Sequence, residues 1–172
     1  MERLTYDFVM LKPLGAQEPL RSEIFGILQK VATIAAVKRK IITLAEAQEL
    51  YRPSGHDADG NALPHFHAIT GYLAGKTVEV MVAVGNGDPS EFVAKIDKII
   101  GPWQPEKTKK GQIRNILVAR NIPYVMPVET PIGSNKYCYD NLVHSSDSIE
   151  SALREMSIHF SDDELKRIFR ND

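Results

Sequence analysis

The sequence is poor in cysteine: Cys138 is the only one among its 172 residues. A single cysteine cannot form an internal disulfide. Together with the lack of a secretory signal or a long apolar run, this predicts a cytosolic protein with no membrane segment. Zinc-type spacing is also missing, because the pair His65 and His67 has no further well-spaced ligand. That pair is more typical of a partly buried helix start.

An excess of either charge is absent too. Lys and Arg number 21 against 22 Asp and Glu, which leaves a net charge of −1. No global field therefore attracts the chain to nucleic acid or to an anionic membrane, and we expect neither as a partner. Anion binding must depend on local basic clusters. The lysines within residues 102–111 form one such cluster, although a solvated loop explains them equally well.

Internal repeats and low-complexity segments are absent as well, and the length suits one well-cored domain. We expect a single domain over residues 1–172. The stretch at about residues 120–140 contains three prolines and is predicted to be an irregular inserted loop. A loop of that length inside a compact domain is usually functional or part of an interface.

Hydrophobic periodicity predicts an alternation of strands and helices. Strands are predicted at residues 6–11, 33–42, 77–84 and immediately before His144. Helices are predicted at residues 20–31, 43–51, 65–73 and 89–100, after residue 147 or 148, and after residue 161. This order predicts a four-stranded sheet with helices packed on one face, an α+β sandwich of ferredoxin-like type.

Residues 141–148, Asn-Leu-Val-His-Ser-Ser-Asp-Ser, are the most informative stretch. They place His144 at the end of an apolar strand, at a sheet edge where its side chain can reach a ligand. Asp147 or Ser148 can cap the helix that follows, and the N–H groups at a helix start favour an anionic group such as a phosphoryl. A lone histidine in such a position is nevertheless more often structural than catalytic. The residues around His144 must decide between a structural and a catalytic role.

Those neighbours resemble a known signature. Residues 141–152 with Arg154-Glu155 closely resemble the active-site signature of nucleoside diphosphate kinases, Asn-x-x-His-Gly-Ser-Asp-Ser followed by Glu-Ser-Ala and Arg-Glu. Residues 8–15 are similar to that family's opening strand and Lys-Pro-Asp-Gly turn, and residues 111–114 to its Gly-Thr-Ile-Arg. The likeness covers nearly the whole chain. It implies a ferredoxin-like four-stranded antiparallel sheet with helices packed around it.

The resemblance also implies an activity. His144 would take the γ-phosphoryl of a nucleoside triphosphate, hold it as phosphohistidine and pass it to a nucleoside diphosphate. Ser146 and Glu155 would orient the imidazole so that the correct ring nitrogen attacks. The implied nucleotide-binding residues are Lys12 for ribose or phosphates, Tyr51 for the terminal phosphate, Arg114 for a phosphate and Asn141 for the ribose hydroxyls. Taken singly, Lys12, Tyr51 and Arg114 have plain structural alternatives.

Magnesium would be bound through the nucleotide phosphates, so no protein metal ligands are predicted. The family further implies a homo-oligomer, either a hexamer or a tetramer. Nucleotide preference stays open.

Four departures from the family pattern surround the nucleotide. Asp97 stands where a phosphate-binding arginine is usual, Trp103 where a threonine is usual, and His65 where a base-stacking phenylalanine is expected. The fourth is the insertion at about residues 120–140, which we hypothesise changes either the nucleotide pocket or the oligomer. The departures motivate an alternative function: a nucleotide-binding regulatory module of the same fold, with weak or no phosphotransfer.

Overall fold

The computed structural model describes residues 4–130, 133–138 and 140–170, with only the backbone described for 125–130 and 133–138. The strands are β1 Leu4–Leu11, β2 Thr33–Ile41, β3 Thr77–Asn86, β4 Val125–Thr130, β5 Gly133–Cys138 and β6 Val143–Ser145. The helices are α1 Leu20–Leu28, α2 Leu44–Tyr51, α3 Pro64–Leu73, α4 Pro89–Ile100, α5 Asn115–Ala119, α6 Ile149–His159 and α7 Asp162–Arg170, with a short 3-10 turn at Pro105–Lys107. Within these ranges, no helix combines the length and apolar character that crossing a membrane requires.

Four of the strands form one antiparallel sheet in the order β2-β3-β1-β6. This confirms the predicted α+β class. Strand β1 is central, and its last three residues pair with β6, so that Met10 lies opposite His144. The short edge strand therefore delivers His144 beside the point where β1 ends and the turn at Lys12 begins.

Helices cover both faces of this sheet. Alternate residues of β1 and β3 enter two separate cores, because neighbouring side chains of a strand point to opposite faces. One core packs Val9, Leu11, Met81 and Ala83 against α1 and α4, and the other packs Phe8, Met10, Val80 and Val82 against α2 and α6. The expectation of helices on one face alone was therefore wrong. The unbroken buried run in β1 is the pattern of a strand covered on both sides.

Local capping signals were reliable. Thr43 and Glu46 form the expected capping box at the start of α2. Of the two candidates for the cap of α6, Ser148 is the one that accepts a hydrogen bond, from Ser151 N. Ser161 likewise accepts from the N–H of Glu164 at the start of α7. Each bond satisfies a backbone donor that the first helical turn leaves unpaired.

The insertion at about residues 120–140 is not an irregular loop. It contains an antiparallel hairpin in which β4 pairs with β5 from Val125↔Cys138 to Thr130↔Gly133. These strands form their own two-stranded sheet, separate from the main one. Prolines suggested irregular chain, but both strands of an isolated ribbon are edges, where a proline such as Pro127 is tolerated. Pro131 lies outside the described residues.

Candidate active site

A histidine–carboxylate pair forms the centre of the candidate site. His144 Nε2 lies 2.8 Å from Glu155 Oε2, and Ser146 Oγ donates to the same oxygen at 2.8 Å. Strand β6 positions His144, and the second turn of α6 positions Glu155 beneath it. The Glu155 side chain is 5% exposed and that of His144 is 18% exposed. The imidazole therefore stays accessible above a buried carboxylate.

This contact defines the role of each ring nitrogen. An ionised carboxylate can only accept hydrogen bonds, so Nε2 of His144 carries the proton and donates it to Glu155. In a neutral imidazole the other nitrogen, Nδ1, then holds the lone pair. The hydrogen bond to Glu155 thus leaves the Nδ1 lone pair uninvolved.

Two aromatic rings pack against the imidazole. The ring centroid of Tyr51 lies 5.4 Å from that of His144 in an edge-on arrangement, and the ring of Phe8 lies 6.2 Å away. Tyr51 is the last residue of α2, so the end of that helix forms a wall of the site. Lys12 is 3% exposed, and its Nζ lies 5.7 Å from the centre of the Tyr51 ring. Tyr51 therefore lies next to both Lys12 and His144.

Arg114 is also brought to the site, although much of its guanidinium is bonded to the backbone. Its Nη1 donates to Gly101 O at 2.6 Å and its Nη2 to Val143 O at 2.7 Å. These bonds tie the end of α4 to the residue immediately before His144. Arg114 consequently fastens the strand that carries the histidine and places a buried positive charge beside it.

Asn141 has one polar atom bonded and one unsatisfied. Its Nδ2 donates to Trp103 O at 2.9 Å, whereas its buried Oδ1 has no hydrogen-bond partner within the described part of the chain. A buried acceptor without a donor costs about 1–3 kcal/mol. A ligand hydroxyl would satisfy it. The Trp103 side chain is largely exposed.

Asp140 is a site residue that the sequence did not reveal. It is 1% exposed, and its carboxylate accepts hydrogen bonds from Leu14 N at 2.9 Å, from Tyr72 OH at 2.7 Å and from Leu142 N at 3.2 Å. The partners come from the turn after β1, from α3 and from the strand that leads to His144. Asp140 precedes the recognisable motif and belongs to no local pattern, so no sequence signal identified it.

The backbone beside Asp140 is tightly constrained. Leu142 has a φ of 73°, a left-handed conformation that costs a residue other than glycine about 1–2 kcal/mol. Its carbonyl accepts from Lys12 N at 2.9 Å, and a Cβ on Gly15 would lie only 2.3 Å from the same oxygen. Gly15 is therefore required where the Lys12 turn meets the His144 strand.

One of the departures from the family pattern, Asp97, lines an acidic cavity. A cavity of about 380 Å³ between α4 and the start of α6 is lined by Asp97, Asp147 and Glu150. These carboxylates would repel phosphates rather than hold them. Arg120, a basic residue that could compensate for the arginine missing at position 97, forms an ion pair with Glu23. His65, at the expected base-stacking position, has Nε2 3.1 Å from Ser54 O.

Fold and site together define a class: an α+β protein with an accessible histidine–carboxylate pair at the edge of an antiparallel sheet. The sequence model of the nucleoside diphosphate kinase family matches residues 5–165. The chain therefore belongs to the nucleoside diphosphate kinase family, whose members are phosphotransferases.

Individual relatives agree with this assignment. The nucleoside diphosphate kinase of Metallosphaera sedula is 31% identical over 159 residues, which cover 92% of this chain and 94% of the relative. That of Synechocystis sp. is 30% identical over 161 residues, covering 92% and 89%. Among solved structures, a transition state mimic of the Borrelia burgdorferi nucleoside-diphosphate kinase with bound vanadate and ADP aligns with a TM-score of 0.70 at 18% identity, covering 94% of this chain and 89% of that one. The apo enzyme from Encephalitozoon cuniculi gives 0.68 at 24% identity, covering 95% and 92%. At these identities the structures support the fold alone.

Proposed function

We propose that the protein transfers the γ-phosphoryl of a nucleoside triphosphate to a nucleoside diphosphate through a phosphohistidine on His144. The observation that carries this proposal is the 2.8 Å contact between His144 Nε2 and Glu155 Oε2, because it leaves the Nδ1 lone pair available. Membership of the nucleoside diphosphate kinase family supports the same reaction.

The transfer balances in two half-reactions. Nδ1 of His144 forms a bond to the γ-phosphorus while the bond to the bridging oxygen breaks, and the electron pair leaves on the nucleoside diphosphate. The phosphorylated ring carries positive charge, and the Glu155 carboxylate, bonded to Nε2, stabilises it. A second nucleoside diphosphate then attacks the phosphorus, and the lone pair returns to Nδ1.

The surrounding residues supply binding. Lys12 and Arg114 place two buried positive charges near the ring, where they offset the charge of the phosphate oxygens. Tyr51 contacts the ring that receives the phosphoryl. The unsatisfied Oδ1 of Asn141 accepts from a ribose hydroxyl. Together these groups bind one nucleotide at a time in a shared site.

Magnesium is part of the proposal as a companion of the nucleotide. Within the described residues, no group of three or more His, Cys, Asp or Glu side chains is arranged to hold a metal ion. The ion would travel on the phosphate oxygens and offset their charge, which requires few protein ligands.

We also propose that the protein is a cytosolic homo-oligomer, a hexamer or a tetramer. The single cysteine supports a reducing compartment, and the family resemblance supports the assembly. Sedimentation velocity at micromolar concentration tests the assembly, and a monomer would contradict it. Fractionation of cells that express the tagged chain tests the location.

The direct test of function is labelling with γ-labelled ATP and magnesium. We expect an acid-labile phosphoprotein from the wild type, no label in His144→Ala, and normal label in His67→Ala, which removes an exposed histidine outside the site. Label retained in His144→Ala, or no label in the wild type, would remove the proposal.

A second candidate function, a nucleotide-binding regulatory module, is favoured by the acidic cavity around Asp97. It predicts ordinary affinity in a nucleotide titration combined with phosphate exchange no faster than in His144→Ala. Exchange well above that of the variant would dismiss it.

A further inference from the structure

Arg154 joins two elements of the site through a single guanidinium. Its Nη1 donates to Glu49 O at 2.8 Å and its Nη2 to Leu50 O at 3.2 Å, both in the last turn of α2. The same Nη2 lies 3.1 Å from Glu155 Oε1. Arg154 therefore bridges the end of α2 to the carboxylate that holds His144.

The sequence explains why α2 needs this partner. The carbonyls in the last turn of a helix have no intrahelical donor unless the helix continues. Four residues after Glu49 stands Pro53, which has no N–H and cannot donate to the Glu49 carbonyl. The planar guanidinium of Arg154 supplies the missing donor.

The bridge fixes Glu155 at both oxygens. Oε1 faces Arg154, while Oε2 accepts from Ser146 Oγ and from His144 Nε2. A carboxylate bonded at both oxygens cannot rotate freely, so Glu155 fixes the orientation of the His144 ring. The same arginine anchors the helix end that carries Tyr51, whose ring packs against the imidazole. One side chain thus controls two of the contacts that orient His144.

We propose that Arg154 is a positioning residue for phosphoryl transfer, acting on His144 through Glu155 and Tyr51 rather than on the nucleotide. This inference rests on the proposed role of His144 as the phosphoryl carrier. It predicts an effect on the rate of histidine phosphorylation that exceeds any effect on nucleotide affinity, because Arg154 bonds to the carboxylate that holds His144, whereas Tyr51 is only one of several groups proposed to bind the nucleotide.

Three variants test the inference. Arg154→Met removes the bridge, and Arg154→Lys keeps the charge without the planar fork. Arg52→Met is the matched control, since Arg52 also lies at the end of α2 but pairs at the surface with Glu49, at 2.6 Å. The measurements are the single-turnover rate of His144 phosphorylation by excess ATP and magnesium, the nucleotide dissociation constant, and the circular dichroism spectrum.

We expect Arg154→Met to slow phosphorylation about 10- to 30-fold, with a dissociation constant within about twofold of the wild type, since a small misplacement of a reacting group is costly. The phosphorylation rate of Arg154→Lys should fall between those of the wild type and Arg154→Met, and the rate of Arg52→Met should match the wild type.

A rate in Arg154→Met equal to that of Arg52→Met, or a loss confined to nucleotide affinity, would overturn the inference. If Arg154→Met does not fold, Arg154→Lys decides: a slower rate than Arg52→Met supports the inference and an equal rate overturns it. Failure of the wild type itself to form phosphohistidine would instead refute the proposed function.

Discussion

Two histidines packed against the same phenylalanine occupy opposite environments. The ring of His144 lies 6.2 Å from that of Phe8, and the ring of His159 stacks on Phe8 at 5.3 Å. His144 is bonded to Glu155 and accessible, whereas His159 is 4% exposed. Within the described residues, neither ring nitrogen of His159 has a hydrogen-bond partner. Burial lowers the pKa of His159 to about 4, with a smaller contribution from the charge of Lys40.

The comparison shows what turns an imidazole into a candidate nucleophile. Glu155 and His159 are one helical turn apart on α6, yet the carboxylate serves His144 on the neighbouring strand. His144 differs from His159 because a carboxylate partner fixes one of its ring nitrogens and the other nitrogen is accessible. Residue type alone does not distinguish the two.

The largest effect on activity should come from removing the charge of Glu155. Glu155→Gln keeps the shape of the side chain but loses the charge that would stabilise the proposed phosphorylated ring, and we expect kcat to fall about 100-fold. A coupled assay at saturating nucleotide measures it. His159→Phe serves as the control and should stay within about twofold of the wild type. A Glu155→Gln rate within threefold of the wild type would erase the distinction between the two histidines.

A smaller effect is expected on the stability of the protein at acidic pH, through His159. Its folded pKa lies below the usual 6.5, so the unfolded chain binds the proton more tightly and stability falls as the pH drops from about 6.5 towards 4. The shift to about 4 corresponds to about 3 kcal/mol of unfolding free energy over that range. His159→Phe should lose this component of the slope.

Urea denaturation of both proteins between pH 7 and 4 measures the difference. Burial also raises the pKa of Asp7 well above its usual value, which gives stability a pH dependence of opposite sign. Asp7 is present in both proteins, so the comparison still isolates His159. The same pH dependence of the unfolding free energy in the wild type and in His159→Phe would contradict the assignment of this component to His159.

The smallest effect should follow deletion of the inserted hairpin. Its strands pair with each other and not with the main sheet. Replacing residues 125–138 by a short turn should therefore change the unfolding free energy by no more than about 1 kcal/mol. Urea denaturation measures this, and failure to fold would contradict it. Sedimentation of the same variant tests the oligomer: an unchanged assembly would leave the nucleotide pocket as the place where the insertion acts.

The sequence was informative where the determining interactions are local. The capping residues Thr43 and Ser161, the strand that carries His144, and the position of Glu155 on the following helix all depend on neighbours within a few turns of chain. Periodicity and capping chemistry are therefore sufficient to predict them. The resemblance added expected roles for Lys12 and the other nucleotide contacts, and these remain predictions.

The interactions that were missed connect distant parts of the chain. Asp140 accepts from Leu14, 126 residues away in sequence, and Arg154 donates to Glu49, 105 residues away. Neither residue has a local pattern that predicts its partner. The hairpin was missed for another reason: its prolines suggest a loop unless the two-stranded geometry is known.

The most direct test of the central claim is the position of the phosphate on the ring. The contact between His144 Nε2 and Glu155 reserves that nitrogen for hydrogen bonding. Phosphorus NMR of the denatured, alkali-stabilised phosphoenzyme, compared with synthetic standards, should find the phosphate on Nδ1. A phosphate on Nε2, or a ring that stays unmodified after exposure to ATP and magnesium, would contradict it.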